Sequence, residues 1–265
     1  MALTQWSVVL LLIIVAVEPT SSSPSIIQIT PETGILLAND GVSGSRRSLD
    51  LYCESWRFTV ETNDAGIWSR IPGRCVDFVK DYITGERYRA ESEAVADNAL
   101  EHAKAVGVSG NGKDAWVFDI DETLLSNLPY YAAHGFGSEI FDEPSFDNWV
   151  DVAEAPALLA SLRLYNNLQE RGFTIFLLTG RSEFQRNATV RNLQYAGYSN
   201  WERLILRGDA DQGKPAVIYK SEKRKEIEDE GYIIRGNSGD QWSDLLGFAV
   251  AQRSFKLPNP LYYVA

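Results

Sequence analysis

Residues 115–123 read AWVFDIDET, an apolar run that ends abruptly in acidic residues. A short continuous apolar run is typical of a parallel strand that is buried on both faces of a sheet. Asp119 follows this run directly, and Asp121 lies two residues further on, with the same facing along an extended chain. The stretch therefore predicts a buried strand with two carboxylates at its carboxyl end.

The sequence beyond this stretch alternates between strand and helix patterns. The predicted elements are strands at 173–178, 204–206 and 232–234, and helices at 156–171, 183–195 and 220–230. Such alternation predicts an α/β fold with a doubly wound parallel sheet and right-handed crossovers. Ligands of such sheets bind at the carboxyl ends of the strands, so we expect Asp119, Thr179 and Asp240 at one edge.

The charge balance excludes one class of partner. The 265 residues include 25 Lys and Arg against 36 Asp and Glu, which gives a net charge of −11. The sequence has no basic run that could build a groove for nucleic acid, and an anionic membrane surface is disfavoured for the same reason. A hydrophobic content of 45% is that of a globular protein and excludes disorder, collagen and coiled coil as overall classes.

The N-terminus carries the longest apolar run, VVLLLIIVAV at 8–17, followed by EPTSSS. A membrane-spanning helix needs about 20 apolar residues, whereas the apolar part of a secretory signal needs roughly 7–15. We therefore predict a cleavable signal peptide at 1–23; an uncleaved anchor and a buried strand are the alternatives, because no Lys or Arg precedes the run. The mature protein is expected to be soluble, without stable membrane insertion, in the secretory pathway.

The rest of the chain divides into two parts. Residues 24–110 have no β periodicity and predict a mostly helical N-terminal segment, with a helix near 91–105. Residues 111–265 form the predicted α/β core, with a short cap insertion at 124–155. The aromatic side chains of that insertion could stack on an aromatic leaving group, or simply pack the cap.

Two covalent modifications are predicted from the secretory context. Cys53 and Cys75 are the two cysteines of the chain, and thiols in an oxidising lumen commonly pair. A bridge between them would stabilise the fold by about 3 kcal/mol; two buried free thiols are the alternative. Asn187-Ala188-Thr189 matches the N-glycosylation sequon, although it lies in a predicted helix.

The pair Asp119 and Asp121 suggests metal-assisted phosphoryl chemistry. Two neighbouring carboxylates repel each other unless a cation joins them, and Mg²⁺ suits carboxylates together with waters and a phosphate oxygen. One Asp could then attack a phosphate as nucleophile while the other serves as acid and base. A D-x-D pair in isolation is more often a solvated loop, but this pair follows a buried strand.

Other polar residues follow the later strands. Thr179 and Arg181 lie where a strand turns into a helix, which favours an anion, although a capped turn with a surface Arg fits the same letters. Lys220 could balance charge between nucleophile and phosphate, or belong to a solvated basic face. Asp240 is the better candidate for a further metal ligand, and Asp244 for a residue that supports the ligands or replaces one.

In combination these motifs resemble the four-motif set of the haloacid dehalogenase (HAD) superfamily of phosphohydrolases. The stretches VFDIDETLLSNLPYY, LLTGR, YKSEKR, GNSGDQWSDLLG and the terminal FKLPNPLYYVA are similar to the family of plant acid phosphatases and vegetative storage proteins, which is related to the bacterial class B and class C acid phosphatases. The resemblance spans roughly residue 53 to the C-terminus.

The resemblance implies specific roles. Asp119 would form an aspartyl-phosphate, Asp121 would be the acid and base, and Mg²⁺ would be held by Asp119, the main-chain carbonyl of Asp121, and Asp240. Thr179 and Lys220 match positions that orient the phosphate and balance charge, and Arg181 matches a substrate-contacting Arg. Lys214, in Gly213-Lys214-Pro215, is a rival for the lysine position.

Two functions are compatible with the resemblance. The first is a secreted, Mg²⁺-dependent acid phosphatase that hydrolyses small phosphomonoesters, located in the cell wall, the extracellular space or the vacuole. The second is a vegetative storage or defence protein with residual activity. Some storage proteins of the family lack the nucleophile, whereas this sequence retains Asp119. Related families form oligomers, so a homo-oligomer is left open.

Overall fold

The strand predicted from AWVF lies at the centre of a parallel sheet in the computed structural model, which describes residues 41–66 and 70–264. Its five strands follow the order β3-β2-β1-β4-β5, and every neighbouring pair is parallel. The strands are β1 Asp114–Phe118, β2 Thr174–Ser182, β3 Arg203–Arg207, β4 Ile233–Gly239 and β5 Arg253–Lys256. The predicted α/β fold is confirmed.

Helices flank this sheet and precede it. They are α1 Gly41–Glu61, α2 Val76–Thr84, α3 Glu86–Val106, α4 Leu128–Ala133, α5 Glu143–Val152, α6 Leu159–Glu170, α7 Arg186–Tyr195, α8 Ala216–Asp229 and α9 Trp242–Leu245. Short 3-10 turns lie at Gly73–Cys75, Gly135–Gly137, Glu183–Gln185 and Asp209–Asp211. None of the helices in the described ranges is both long and apolar enough to cross a membrane.

Alternate residues of β1 point into different cores. Trp116 and Phe118 join one apolar cluster with residues of α3 and α6, while Ala115 and Val117 join another that includes Tyr219 of α8. Both faces of the strand are therefore covered, which explains why its sequence is continuously apolar. Each fully buried large side chain contributes about 1.5–3 kcal/mol to stability.

Several predicted boundaries differ from the structure. Helix α8 begins at Ala216 rather than at residue 220, directly after Pro215, whose φ is −52°. The fixed ring of Pro215 favours a helix start at the next residue. Helix α3 likewise begins earlier than residue 91, directly after Gly85.

Strand β4 extends beyond the predicted 232–234 and carries polar residues into the sheet. It continues to Gly239 because residues 236–238 pair with β1 and residues 236–239 pair with β5. At Gly236 an added Cβ would lie 2.5 Å from the ring of Trp116, so only glycine fits beside that indole. The strand β5 was not predicted, because its short sequence has no long apolar run.

The helices that precede the sheet are linked by a disulfide. Cys53 of α1 and Cys75 are bonded, with an S–S distance of 2.03 Å, which confirms the predicted pairing. Residues 45–265 form one compact unit, and the predicted signal peptide at 1–23 lies outside the described residues. Asn187 of the sequon is exposed on α7, whereas Thr189 is buried.

Candidate active site

Three aspartates meet where β1 and β4 end. Asp119 follows β1 and Asp240 follows β4, and these two strands are neighbours in the sheet. Asp244 lies on α9, one turn after Asp240. One carboxylate oxygen from each of the three lies within 4.8 Å of the others, and all three side chains are buried.

A lysine neutralises part of this charge. The Nζ of Lys220, on α8, lies 2.5 Å from Oδ1 of Asp119 and also contacts Asp244. Although burial lowers the pKa of Lys220, the two carboxylates raise it above its ordinary value. Lys214, the rival lysine, pairs instead with Asp211 and Glu222. The structure therefore brings Lys220, and not Lys214, to the aspartates.

Lys220 does not fully compensate the negative charge of the three aspartates. Burial and the neighbouring carboxylates raise the pKa of Asp119 well above its ordinary value, although Lys220 acts against this. Burial, Asp244 and Glu122 raise the pKa of Asp240 to about 7. Clustered oxygen ligands of this kind suit a hard divalent cation, which would compensate their charge. The donor set therefore fits the predicted metal.

Asp121 is held on the opposite side by residues of β2. Arg181 donates from Nη2 to Oδ1 of Asp121 at 2.7 Å and from Nε to both carboxylate oxygens. Thr179 donates to Oδ2 of Asp121 at 3.4 Å and accepts from the backbone N–H of Arg181. Although burial raises the pKa of Asp121, Arg181 brings it below its ordinary value.

The guanidinium of Arg181 is committed to protein partners. Its side chain is 2% exposed, and its Nη1 donates to Thr189 of α7 at 3.1 Å. The sequence predicts that Arg181 contacts the substrate. In the structure it contacts Asp121 and also lines the cavity, so its contact with substrate stays a prediction.

Several residues for which the sequence predicts no role surround these acids. Asn259 and Gln241 each donate to Oδ2 of Asp240 at 2.7 Å, and Thr123 donates to Oδ1. Asn127 donates to Asp121 and to the buried Glu122. Burial and Asp121 raise the pKa of Glu122 to about 8. Asn259 lies in the terminal stretch that carries the resemblance, but no spacing rule connects it to Asp240.

A cavity of about 490 Å³ opens above the aspartates. Its volume is within the range of small-molecule sites. Cap residues cover one side and the C-terminal residues 261–264 cover another. The lining combines carboxylates with rings; the rings are Tyr130, Tyr131, His134, Phe141, Phe146, Tyr262 and Tyr263. The site can therefore enclose a small ester next to Asp119.

Comparisons with known proteins agree with this arrangement. Residues 39–265 match the family model described as HAD superfamily, subfamily IIIB (acid phosphatase). The chain is 54% identical to acid phosphatase 1 of Solanum lycopersicum over 215 residues, which is 81% of this chain and 84% of that one. It is 36% identical to vegetative storage protein 2 of Arabidopsis thaliana, over 96% of this chain and 97% of that one.

A solved structure supports the fold. The class C acid phosphatase from Bacillus anthracis, determined with tungstate bound, superposes with a TM-score of 0.57 at 23% identity. The match covers 71% of this chain and 85% of that chain. At this identity the likeness is informative about the architecture of the sheet and its helices.

Proposed function

The chain belongs to subfamily IIIB of the HAD superfamily, the acid phosphatases, and on this premise we propose that it hydrolyses small phosphomonoesters through an aspartyl-phosphate on Asp119. The observation that carries the proposal is the convergence of Asp119, Asp240 and Asp244 within 4.8 Å beneath the cavity. A buried carboxylate next to a lysine and a metal-binding set is suited to attack an anionic phosphate.

The reaction has two steps. A carboxylate oxygen of Asp119 attacks phosphorus, the bond from phosphorus to the ester oxygen breaks, and Asp121, in its protonated form, gives its proton to the leaving oxygen. Because Arg181 lowers the pKa of Asp121, the fraction of enzyme that carries this proton grows as pH falls. Asp121 then takes a proton from water as that water attacks phosphorus. The bond from phosphorus to Asp119 breaks, which releases phosphate and restores the carboxylate.

The charge on the site is compensated from two sides. Asp119, Asp240 and the main-chain carbonyl of Asp121 would hold Mg²⁺, which when bound supplies positive charge to the phosphate oxygens. Lys220 contacts Asp119 directly and favours its ionised form beside an anionic substrate. We expect Thr179, whose hydroxyl lies beside Asp121 within β2, to orient the phosphate.

Secretion and storage belong to the same proposal. The apolar run at 8–17 supports a signal peptide, and the exposed Asn187 supports glycosylation. The similarity to a vegetative storage protein favours accumulation as a second role, while the retained Asp119 supports catalysis. One chain can serve both roles, since storage requires abundance and not the loss of the site.

The test is hydrolysis of 4-nitrophenyl phosphate at mildly acidic pH. We expect Asp119→Asn to lower kcat by about 10³-fold or more, because the nucleophile is lost. We also expect EDTA to abolish wild-type activity and Mg²⁺ to restore it. Asp229→Asn, which removes an exposed carboxylate paired with Lys225, is the matched control and should leave the rate unchanged. Equal rates for wild type and Asp119→Asn would refute the proposal, and full activity in EDTA would refute its metal dependence.

A further inference from the structure

Asn127 connects the acid and base of the proposed reaction to the cap. Its Nδ2 donates to Oδ1 of Asp121 at 2.8 Å and to Oε2 of Glu122 at 3.0 Å. Its backbone N–H also donates to Glu122. Since the side chain of Asn127 is fully buried, solvent offers it no other partner. Both protons of the amide are therefore used to hold neighbouring carboxylates.

The direction of this amide is set by Trp149 of α5. The indole Nε1 of Trp149 donates to Oδ1 of Asn127 at 2.9 Å. An indole N–H can donate but cannot accept. If the amide were reversed, two donors would face each other at Trp149, and the carbonyl oxygen would face two carboxylates. The indole therefore selects the orientation in which Asn127 donates to Asp121.

The two carboxylates are also held from outside the cap. Arg181 holds Asp121 from β2, and the hydroxyl of Tyr262 donates to Oε2 of Glu122 at 2.9 Å. Helix α5 also contributes Phe146 and Asp147 to the cavity lining. The helix that lines the cavity thus also carries the indole that orients Asn127.

We propose that Trp149 and Asn127 are positioning residues that aim Asp121 at the leaving oxygen. Arg181 fixes the carboxylate on one side and the amide of Asn127 fixes it on the other, so removal of either contact lets the group rotate. The inference rests on the proposed role of Asp121 as acid and base. A misplaced acid slows proton transfer most where the leaving group needs the proton most.

The test compares leaving groups. For Trp149→Phe, which keeps a ring but removes the N–H, we expect kcat/KM to fall about 10-fold or more for phenyl and glycerol phosphates. The fall should be much smaller for 4-nitrophenyl phosphate, whose leaving group departs without a proton. Asn127→Asp replaces the donating amide with a carboxylate oxygen and should give a larger fall with the same dependence on the leaving group.

Trp56→Phe is the matched control. Trp56 and Trp149 pack in the same apolar cluster, but the Nε1 of Trp56 has no hydrogen-bond partner in the part of the chain that the structure describes. The same change of ring there should leave the dependence on the leaving group unchanged. A uniform fall for all three esters, no fall, or the same effect in Trp56→Phe would overturn the inference. Failure of the proposed function itself is distinguishable, since wild type would then be no faster than Asp119→Asn.

Discussion

At the scale of single residues, the hydrogen bonds of Arg181 fix the orientation of the Asp121 carboxylate. Three of its hydrogen bonds end on the two carboxylate oxygens, and its side chain is 2% exposed. A planar guanidinium matches a carboxylate in a way that an ammonium group cannot. We therefore expect the shape of the Arg181 side chain to matter as well as its charge.

The corresponding prediction concerns Arg181→Lys. We expect kcat to fall about 10²-fold, because a single charge cannot fix both oxygens of Asp121. Inhibition by inorganic phosphate should be nearly unchanged, because the guanidinium contacts Asp121 and Thr189. The measurement is kcat together with the inhibition constant for phosphate.

The control is Arg203→Lys. Arg203 also forms a forked pair with a carboxylate, that of Glu230, on the protein surface. Its substitution should change neither quantity. If Arg181→Lys weakens phosphate inhibition while kcat is little changed, then Arg181 contacts the substrate, as the sequence predicts, and the account given for Asp121 is wrong.

The positions of some site residues follow from the sequence, whereas their hydrogen-bond partners do not. Asp119 and Asp240 could be placed at one edge because parallel strands end at the same edge of a sheet. The partners of Arg181 and Asn127 could not be predicted. Each depends on side chains from separate elements, such as Thr189 of α7 and Trp149 of α5.

At the scale of secondary structure, β1 is fixed at its start as well as at the end that Asp119 follows. Asp114 accepts from both the backbone N–H and the hydroxyl of Ser109 at 2.6 Å, and Arg235 of β4 donates to it at 2.7 Å. Although burial raises the pKa of Asp114, Ser109 and Arg235 bring it below its ordinary value. The ionised carboxylate therefore stabilises the folded protein.

The prediction is a pH-dependent loss of stability in Asp114→Asn. Because the folded-state pKa is lowered, the stabilisation is present above the ordinary pKa and is lost as pH falls through the folded value. We expect the variant to be about 2 kcal/mol less stable at neutral pH, with the difference shrinking below about pH 4. Urea unfolding of wild type and variant across pH measures this.

Asp229→Asn is again the control, since its exposed pair with Lys225 should contribute little at any pH. A stability difference for Asp114→Asn that stays constant as the pH falls into the acid range would contradict the account.

Strands with a continuous apolar run are predictable from the sequence. The strand β5 was missed because its four residues, RSFK, gain their place by pairing with β4 rather than by their own pattern.

At the scale of the whole molecule, distant parts of the chain enclose the site. Glu61, at the end of α1, accepts from Lys256 and from the backbone N–H of Asn259. Asn259 in turn donates to Asp240. A contact between residues 198 positions apart in the chain thus orients a proposed metal ligand. No local pattern predicts such a contact, although the resemblance of the terminal stretch indicates that it has a role.

Part of the acidity behind the net charge of −11 is concentrated at the candidate site. The net charge argues against nucleic acid at the surface, but several of the acidic groups lie buried beneath the cavity, where a divalent cation would reverse their effect on a phosphate ester. The total charge describes the exterior, whereas the positions of the aspartates describe the chemistry.

The central claim is that the phosphoryl group passes through Asp119. It is tested most directly by trapping that group in Asp121→Asn, in which we expect the second step to be slowed because the base for water is absent. The variant is mixed with 4-nitrophenyl phosphate, quenched, treated with borohydride and analysed by peptide mass spectrometry. We predict that Asp119 is reduced to homoserine only in samples that received substrate. An unmodified Asp119 during turnover, or reduction at another carboxylate, would contradict the account.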